Sequence, residues 1–187
     1  LRYSLRVLKA MVAARKPRVI WSASRHRREF VDACGKHQPS ERLGGLVLGQ
    51  QKAWYTHSSV DDLACSSLVG ESQQRINECE ALAAYVCLNT FKTLLQGSKV
   101  TLWIDSKAAE GTLRRGYSSS PLLSAIAGAF WLCAERHQIA VWVDRVPSKL
   151  NPADSVSRGD YSLMRELGAE FWRPSAPKPV EWSFLLG

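Results

Sequence analysis

Residues 99–106 read Lys-Val-Thr-Leu-Trp-Ile-Asp-Ser, an apolar run that ends in a carboxylate. Its β-branched and aromatic residues are typical of a strand, so we predict a strand over residues 99–105. In the preceding residues 75–95, apolar side chains recur at steps of three and four, which indicates a long amphipathic helix that ends before Gly97. The predicted inward positions are Ile76, Cys79, Ala83, Val86, Cys87 and Thr90.

The same patterns predict the remaining elements. Before the helix we predict strands over residues 29–34, 43–48 and 53–56, and the last two form a hairpin. After residue 105 we predict a short helix, a basic turn over residues 114–120, a helix over residues 121–137 and a strand over residues 139–146. This last strand is almost continuously apolar, as expected at the centre of a sheet. A final helix begins at Asn151 and Pro152.

This order of elements predicts a mixed α/β fold. Three strands would form an antiparallel meander and two would run parallel, in a five-stranded sheet flanked by helices. The length of 187 residues suits one domain. We expect a basic lead-in over residues 1–28, a domain over residues 29–172 and a Pro-rich tail over residues 173–187. The run from Arg25 to Arg28 is expected to be a solvated basic turn.

Composition narrows the class of protein. Hydrophobic residues make up 45% and charged residues 22%, which excludes a disordered tail, a collagen-like fibre and a coiled coil. The net charge of +8 favours a polyanionic partner, nucleic acid before membrane. Five scattered cysteines without a CxxC pair indicate reduced thiols in an intracellular compartment, cytoplasmic or nuclear. No signal peptide is recognisable, and the longest apolar stretch is too short for a membrane span.

Four carboxylates fall where strands end or helices begin. Asp32 lies in the first strand, Glu80 on the long helix, Asp105 at the end of the fourth strand and Asp154 in the final helix. Such positions converge on one edge of an open α/β sheet. Because grouped carboxylates repel one another, this grouping favours two divalent ions about 3.5–4 Å apart. Taken singly, each acid is more commonly a turn, cap or solvated residue, and Glu78 competes with Glu80 for the inward position.

Residues 30–158 resemble the ribonuclease H domain of retroelement reverse transcriptases. Four segments carry the resemblance, in the family's order: Phe30-Val31-Asp32-Ala33-Cys34-Gly35-Lys36 with the Gly-rich residues 43–48; residues 76–85, INECEALAAY; residues 102–106, LWIDS; and residues 146–158, VPSKLNPADSVSR. The second segment selects Glu80 over Glu78. Each segment alone is weak, whereas four in order are specific.

The resemblance implies a metal-dependent endoribonuclease that hydrolyses the RNA strand of RNA–DNA hybrids. It assigns Asp32, Glu80, Asp105 and Asp154 as catalytic residues and as ligands of two Mg²⁺ ions, which Mn²⁺ can replace. Its implied partners are the hybrid and a reverse transcriptase polymerase domain, covalently linked or assembled; a membrane partner is not expected. The lead-in would then be the end of a preceding polymerase or connection region.

Two groups of residues are candidates for nucleic-acid contacts. Small or polar groups beside the carboxylates would contact RNA 2′-hydroxyls: Cys34, Gly35 and Asn77. A second set would hold DNA phosphates in a salt-sensitive way: Lys107, Arg114, Arg115, Tyr117, Ser118 with its neighbours Ser119 and Ser120, and Lys149.

The sequence departs from the family in two places. Cys34 replaces a common serine, and Ser148 and Lys149 stand where cellular enzymes carry a mobile histidine, which predicts slower product release or proton transfer. The basic protrusion of some cellular enzymes is also absent.

Other functions are compatible with the same fold. One alternative is an inactive ribonuclease H-like scaffold or nucleic-acid-binding domain, although retention of four acids argues against it. A 3′–5′ exonuclease expects an Asp-x-Glu pair, which Asp32-Ala33-Cys34 lacks. A transposase or integrase would carry fewer acids and a different order of elements around the last one.

Aromatic residues and histidines give further expectations. We expect Trp103, Trp131 and Trp142 in the core, because they lie in predicted sheet strands or on a helix that covers the sheet. Trp172 and Trp182 lie near or within the tail and are candidates to dock a neighbouring domain. We assign no catalytic role to the four histidines.

Overall fold

The computed structural model describes residues 26–34, 41–63 and 75–175. Its strands are β1 His26–Cys34, β2 Arg42–Leu48, β3 Ala53–Ser59, β4 Lys99–Ile104, β5 Ala140–Arg145 and β6 Glu170–Phe171. Its helices are α1 Arg75–Leu95, α2 Lys107–Arg115, α3 Pro121–Arg136, α4 Ala153–Ser157 and α5 Ser162–Glu166, with a 3₁₀ turn at Ser148–Leu150. The long helix begins and ends at the predicted residues.

The sheet has the strand order β5-β4-β1-β2-β3-β6. β1, β2 and β3 form the predicted antiparallel meander, and β4 and β5 run parallel to β1. The mixed α/β class is therefore confirmed, with a sixth strand in addition. β6 was not predicted, because it has two residues, both exposed, and pairs only with Trp54 and Tyr55.

Helices cover the two faces of the sheet unequally. α1 packs on β1 and β2 and against α3, while α4 packs on β1, β2 and β3 from the other face. Enclosed in this way, α1 is buried around its whole circumference from Glu78 to Phe91. Ile76, predicted to face inward, is 45% exposed in the first turn of α1. Within the described ranges, no helix is long and apolar enough to cross a membrane.

The placement of β5 corrects the sequence prediction. Its apolar run suggested a central strand, but β5 lies at the edge of the sheet. Only one of its faces packs against helices, so Val143 is buried whereas Trp142, predicted in the core, is 65% exposed. An apolar run of this length therefore did not distinguish a central strand from an edge strand.

The other tryptophans contact the core to different extents. Trp103 and Trp131 are partly buried, and Trp131 donates a hydrogen bond from Nε1 to the Leu113 carbonyl (2.8 Å). Trp172 also packs against the main core, with its ring edge-on to Phe91 at 5.7 Å. It is thus partly covered by this domain itself. Trp182 lies outside the described residues.

The basic run before the first predicted strand is not a solvated turn from residue 26 onward. His26, Arg27 and Arg28 belong to β1, which begins three residues earlier than predicted. Arg27 is only 7% exposed, and its guanidinium lies over the Trp54 ring, 5.0 Å from the centroid. This cation–π contact explains how a cation is accommodated on the helix-covered face. Of the cysteines, Cys79, Cys87 and Cys133 are buried free thiols.

Glu29 is a fully buried acid in the middle of β1. Its side chain lies on the face covered by α1, and no nitrogen or oxygen donor among the described residues hydrogen-bonds its carboxylate oxygens. Burial raises the pKa of the Glu29 carboxyl to about 7, an effect that the neighbouring Cys87 thiol opposes only in part. The neutral acid is therefore the form that the fold favours.

We expect Glu29→Gln to reduce the pH dependence of stability. In the wild type, Glu29 titrates near 4.5 when unfolded and near 7 when folded, so its burial lowers stability progressively as the pH rises between these values. The loss amounts to about 3 kcal/mol above pH 7. Urea unfolding at pH 5 and pH 8 should show Glu29→Gln gaining stability relative to wild type at the higher pH. Glu166→Gln, at an exposed position, is the control; equal pH dependence in all three proteins would contradict the prediction.

Candidate metal centre and nucleic-acid interface

Three carboxylates meet at one edge of the sheet. β1 and β4 are neighbours in parallel register, with Val31 beside Ile104, so the next residues, Asp32 and Asp105, lie at the same edge. α1 packs over β1 and brings Glu80 to them. One oxygen from each carboxylate lies within 4.8 Å of the others. Asp32 and Glu80 are buried and Asp105 is partly exposed, so this group is accessible from the side of Asp105.

Asp32 is the most deeply buried member of this group. Burial is the main reason that its pKa rises to about 7. The Ser157 hydroxyl opposes this shift, whereas the charges of Asp105 and Asp154 add to it. Closely grouped carboxylate oxygens of this kind are the hard donors that Mg²⁺ prefers, and a divalent cation would stabilise Asp32 in its ionised form. The donor set therefore fits a divalent metal ion.

Two adjacent glycines in β2 allow helices to approach β1 from both sides. Gly44 is the register partner of Asp32, and a Cβ on it would lie 2.6 Å from the Ser157 backbone nitrogen. Gly45 is the partner of Val31, and a Cβ on it would lie 2.3 Å from the Cys87 sulfur. A side chain at Gly44 would displace α4, and one at Gly45 would displace the side chain of Cys87 on α1.

Ser157 and Asn151 attach the last part of the domain to the first strand. Ser157 is fully buried, and its hydroxyl donates to Asp32 Oδ2 at 2.5 Å. Asn151 donates from Nδ2 to the Val31 carbonyl (2.9 Å) and accepts from the Ala153 amide (3.2 Å). The predicted capping role of Asn151 thus comes with a second bond, to β1. Ser157 lies in the fourth segment of the family resemblance, and no sequence pattern indicated a role or a partner for it.

The fourth predicted carboxylate, Asp154, is not part of the three-acid group among the described residues. It lies in the first turn of α4, close enough to raise the pKa of Asp32. Both of its oxygens accept hydrogen bonds from Arg158 Nε, at 2.8 and 2.9 Å. The ion pair is partly exposed, so it is weak enough for a ligand to displace.

The predicted nucleic-acid residues lie around this edge in different settings. Asn77 is in the first turn of α1 and accepts a hydrogen bond from the Ser106 hydroxyl (3.4 Å), immediately after Asp105. Lys107, Arg114 and Arg115 are exposed on α2, where Arg114 forms an ion pair with Glu110 (2.7 Å). Tyr117 and Lys149 are also exposed.

Of the remaining candidates, two serines form hydrogen bonds near the start of α3, and one residue lies outside the described ranges. Ser118 exchanges two hydrogen bonds with the Ser124 hydroxyl, and Ser120 caps α3. Cys34 ends β1, and Gly35 lies outside the described residues.

Comparison with known proteins gives the fold a name. No protein-family model and no curated protein matches the sequence. Among solved structures, RNase H1 from the halophilic archaeon Halobacterium salinarum matches with a TM-score of 0.55 at 14% identity, over 72% of this chain and 96% of that one. The fold is that of ribonuclease H.

A second solved structure gives the same result. The N-terminal RNase H domain of a Mycobacterium tuberculosis protein, fused to maltose-binding protein, matches with a TM-score of 0.54 at 13% identity. The match covers 78% of this chain and 100% of that chain. At these identities the likeness is one of fold, and the chemistry has to be argued from the residues of this chain.

We expect Ser157→Ala to raise the pKa of Asp32 further above its ordinary value. The hydroxyl stabilises the carboxylate form, and its removal leaves Oδ2 buried without that donor. NMR titration of the Asp32 carboxyl carbon in metal-free protein measures the shift directly, and urea unfolding should show a loss of about 1–3 kcal/mol.

Ser155→Ala is the matched control. Its hydroxyl donates to the Pro152 carbonyl, in the same short segment but away from Asp32. This variant should leave the pKa of Asp32 unchanged. An unchanged Asp32 pKa in Ser157→Ala would mean that the hydroxyl does not stabilise the carboxylate.

Proposed function

We propose that this chain is a metal-dependent endoribonuclease that hydrolyses the RNA strand of RNA–DNA hybrids. The observation that carries the proposal is the group formed by Asp32, Glu80 and Asp105 at one edge of a ribonuclease H-like sheet. Asp32, Glu80 and Asp105 would hold one divalent ion, and Asp32 with Asp154 a second. When bound, such a pair supplies an activated water and neutralises charge on the leaving oxygen of a phosphodiester.

The protein's own groups prepare this site. Ser157 donates a hydrogen bond to one oxygen of Asp32 and so orients the carboxylate. Arg158 forms an ion pair with the Asp154 carboxylate, whose charge acts on Asp32, and would release it when a stronger ligand binds. The Ser106 hydroxyl, next to Asp105, donates a hydrogen bond to Asn77 and so links the end of β4 to the helix that carries Glu80.

Substrate selection would depend on the surroundings of the carboxylates. The Asn77 amide lies one helical turn before Glu80, where it can contact the 2′-hydroxyl that distinguishes RNA from DNA. The exposed cations of α2 would hold the phosphates of the DNA strand. The positive net charge of the chain favours a polyanionic substrate of this kind.

The four segments that resemble retroelement reverse transcriptases support a more specific context. We infer that the chain is the ribonuclease H domain of such an enzyme and acts inside the cell with a polymerase domain, linked or assembled. Mg²⁺ is the ion that we expect at the site, with Mn²⁺ as a substitute.

Cleavage of a labelled RNA–DNA hybrid tests the activity. Wild type should cut the RNA strand with Mg²⁺ or Mn²⁺ and leave duplex RNA, duplex DNA and single-stranded RNA intact. Asp105→Asn should lower the rate roughly a hundredfold or more, because a metal ligand contributes several kcal/mol to transition-state stabilisation.

Glu170→Gln is the control for loss of one negative charge. Its carboxylate forms an exposed ion pair with Lys52 at the opposite edge of the sheet. Its cleavage rate should equal that of wild type. Salt-sensitive hybrid binding without cleavage under either metal would contradict the enzyme proposal and support the inactive scaffold.

The α2 interface has its own test. Lys107 and Arg115 are both replaced by glutamine. The slope of the logarithm of the hybrid-binding constant against the logarithm of salt concentration should then become shallower by about 2, since each substitution leaves one phosphate without its cation. Arg165→Gln, an exposed cation on α5, is the control and should leave the slope unchanged. An unaltered slope in the double variant would remove α2 from the interface.

A further inference from the structure

One half of a sheet face carries no packed helix among the described elements. Side chains alternate across a strand, so residues of β1, β4 and β5 that point away from α1 share one face. The register places them in two cross-strand rows: Arg28, Thr101 and Trp142, then Phe30, Trp103 and Asp144. α4 packs on β1, β2 and β3. Among the described elements, no helix packs over the same face of β4 and β5, and Trp142 on β5 is 65% exposed.

Aromatic rings cross this open face. Phe30 and Trp103 are stacked, with their centroids 6.3 Å apart and their planes 15° from parallel. Phe30 packs against the small core beneath α4, whereas Trp103 is partly exposed and Trp142 is mostly exposed. The ring at the edge of the sheet, Trp142, is therefore the most accessible of the three.

The groups around these rings are polar and predominantly cationic. Arg28 is exposed in the same row as Trp142, and Lys99 lies one row earlier on β4. Asp144 is the acid of the two rows. Rings interleaved with cations and a hydroxyl are suited to stacking bases and holding phosphates.

We propose that this face binds single-stranded nucleic acid, with bases stacked on Trp142 and Trp103 and a phosphate held by Arg28. The charge of the face, like that of the whole chain, is complementary to this ligand. Phe30 lies two residues before Asp32 on the same side of β1, a distance of about 7 Å along the strand. A single-stranded extension of a nucleic acid bound at the carboxylate edge can therefore continue onto this face.

Binding of fluorescent 12-nucleotide oligouridine and oligothymidine to the full 187-residue chain tests the proposal. Fluorescence anisotropy in metal-free buffer, with Asp105→Asn as the background, separates binding from cleavage. Trp142→Ala should weaken affinity roughly ten- to a hundredfold, as expected for loss of one stacked base, and Trp142→Phe should restore part of it. Arg28→Gln should weaken binding and lower its salt dependence.

Phe171→Ala is the matched control. It removes a ring that is 51% exposed at the opposite edge of the sheet, and it should leave oligonucleotide affinity unchanged. Thermal unfolding should show that Trp142→Ala remains folded, since the replaced ring is on the surface.

Equal oligonucleotide affinity in wild type and Trp142→Ala, including the absence of binding in both, would overturn the proposal. If Trp142→Ala in addition changes the sedimentation of the protein, the face would be assigned to a protein contact. The proposed cleavage activity is tested separately. If the chain cuts hybrids but does not bind these oligonucleotides, only the proposal of a single-strand binding face is wrong.

Discussion

The arrangement of the candidate site depends on how closely two helices approach one pair of glycines. Gly44 and Gly45 are adjacent in β2 and point to opposite faces of the sheet, where α4 and the Cys87 side chain of α1 occupy the space that side chains would fill. Close packing of this kind tolerates little added volume, because backbone atoms cannot move aside as a flexible side chain can. The two residues of β1 that face these glycines are Val31 and Asp32.

Asp32 is consequently held between the two layers. α4 supplies Ser157 to one of its oxygens, and α1 brings Glu80 to the same edge. Burial in this position disfavours charge on Asp32, and a cation bound by the grouped carboxylates would offset that cost. Asn151 extends the connection, since a single amide group bonds the carbonyl before Asp32 and the first turn of α4. Packing and hydrogen bonds from both layers thus fix the position of Asp32 in the site.

Sequence patterns predicted the features that periodicity and strand order determine. The bounds of α1, the meander and the meeting of Asp32 and Asp105 follow from regular spacing and from the rule that strand ends converge. The choice of Glu80 over Glu78 came instead from the resemblance to ribonuclease H domains. Features that depend on a particular partner were not predictable. β6 consists of two exposed residues that show no periodic pattern. Arg27 is buried because its guanidinium lies over the Trp54 ring. Ser157 can lie next to Asp32 because Gly44 has no side chain that would displace α4. Trp142 was wrongly predicted in the core, because the apolar character of a strand does not reveal whether that strand lies at the edge of the sheet.

The bonds that complete the site join distant parts of the chain. Ser157 and Asp32 are 125 residues apart, and Asn151 and Val31 are 120 apart. Closing loops of this length costs conformational entropy, which packing elsewhere in the domain has to offset. During synthesis, the first strand leaves the ribosome well before the segment that orients its carboxylate. A growing chain therefore carries Asp32 without its partners until nearly the whole domain has been made, so translation itself delays the moment at which this centre exists.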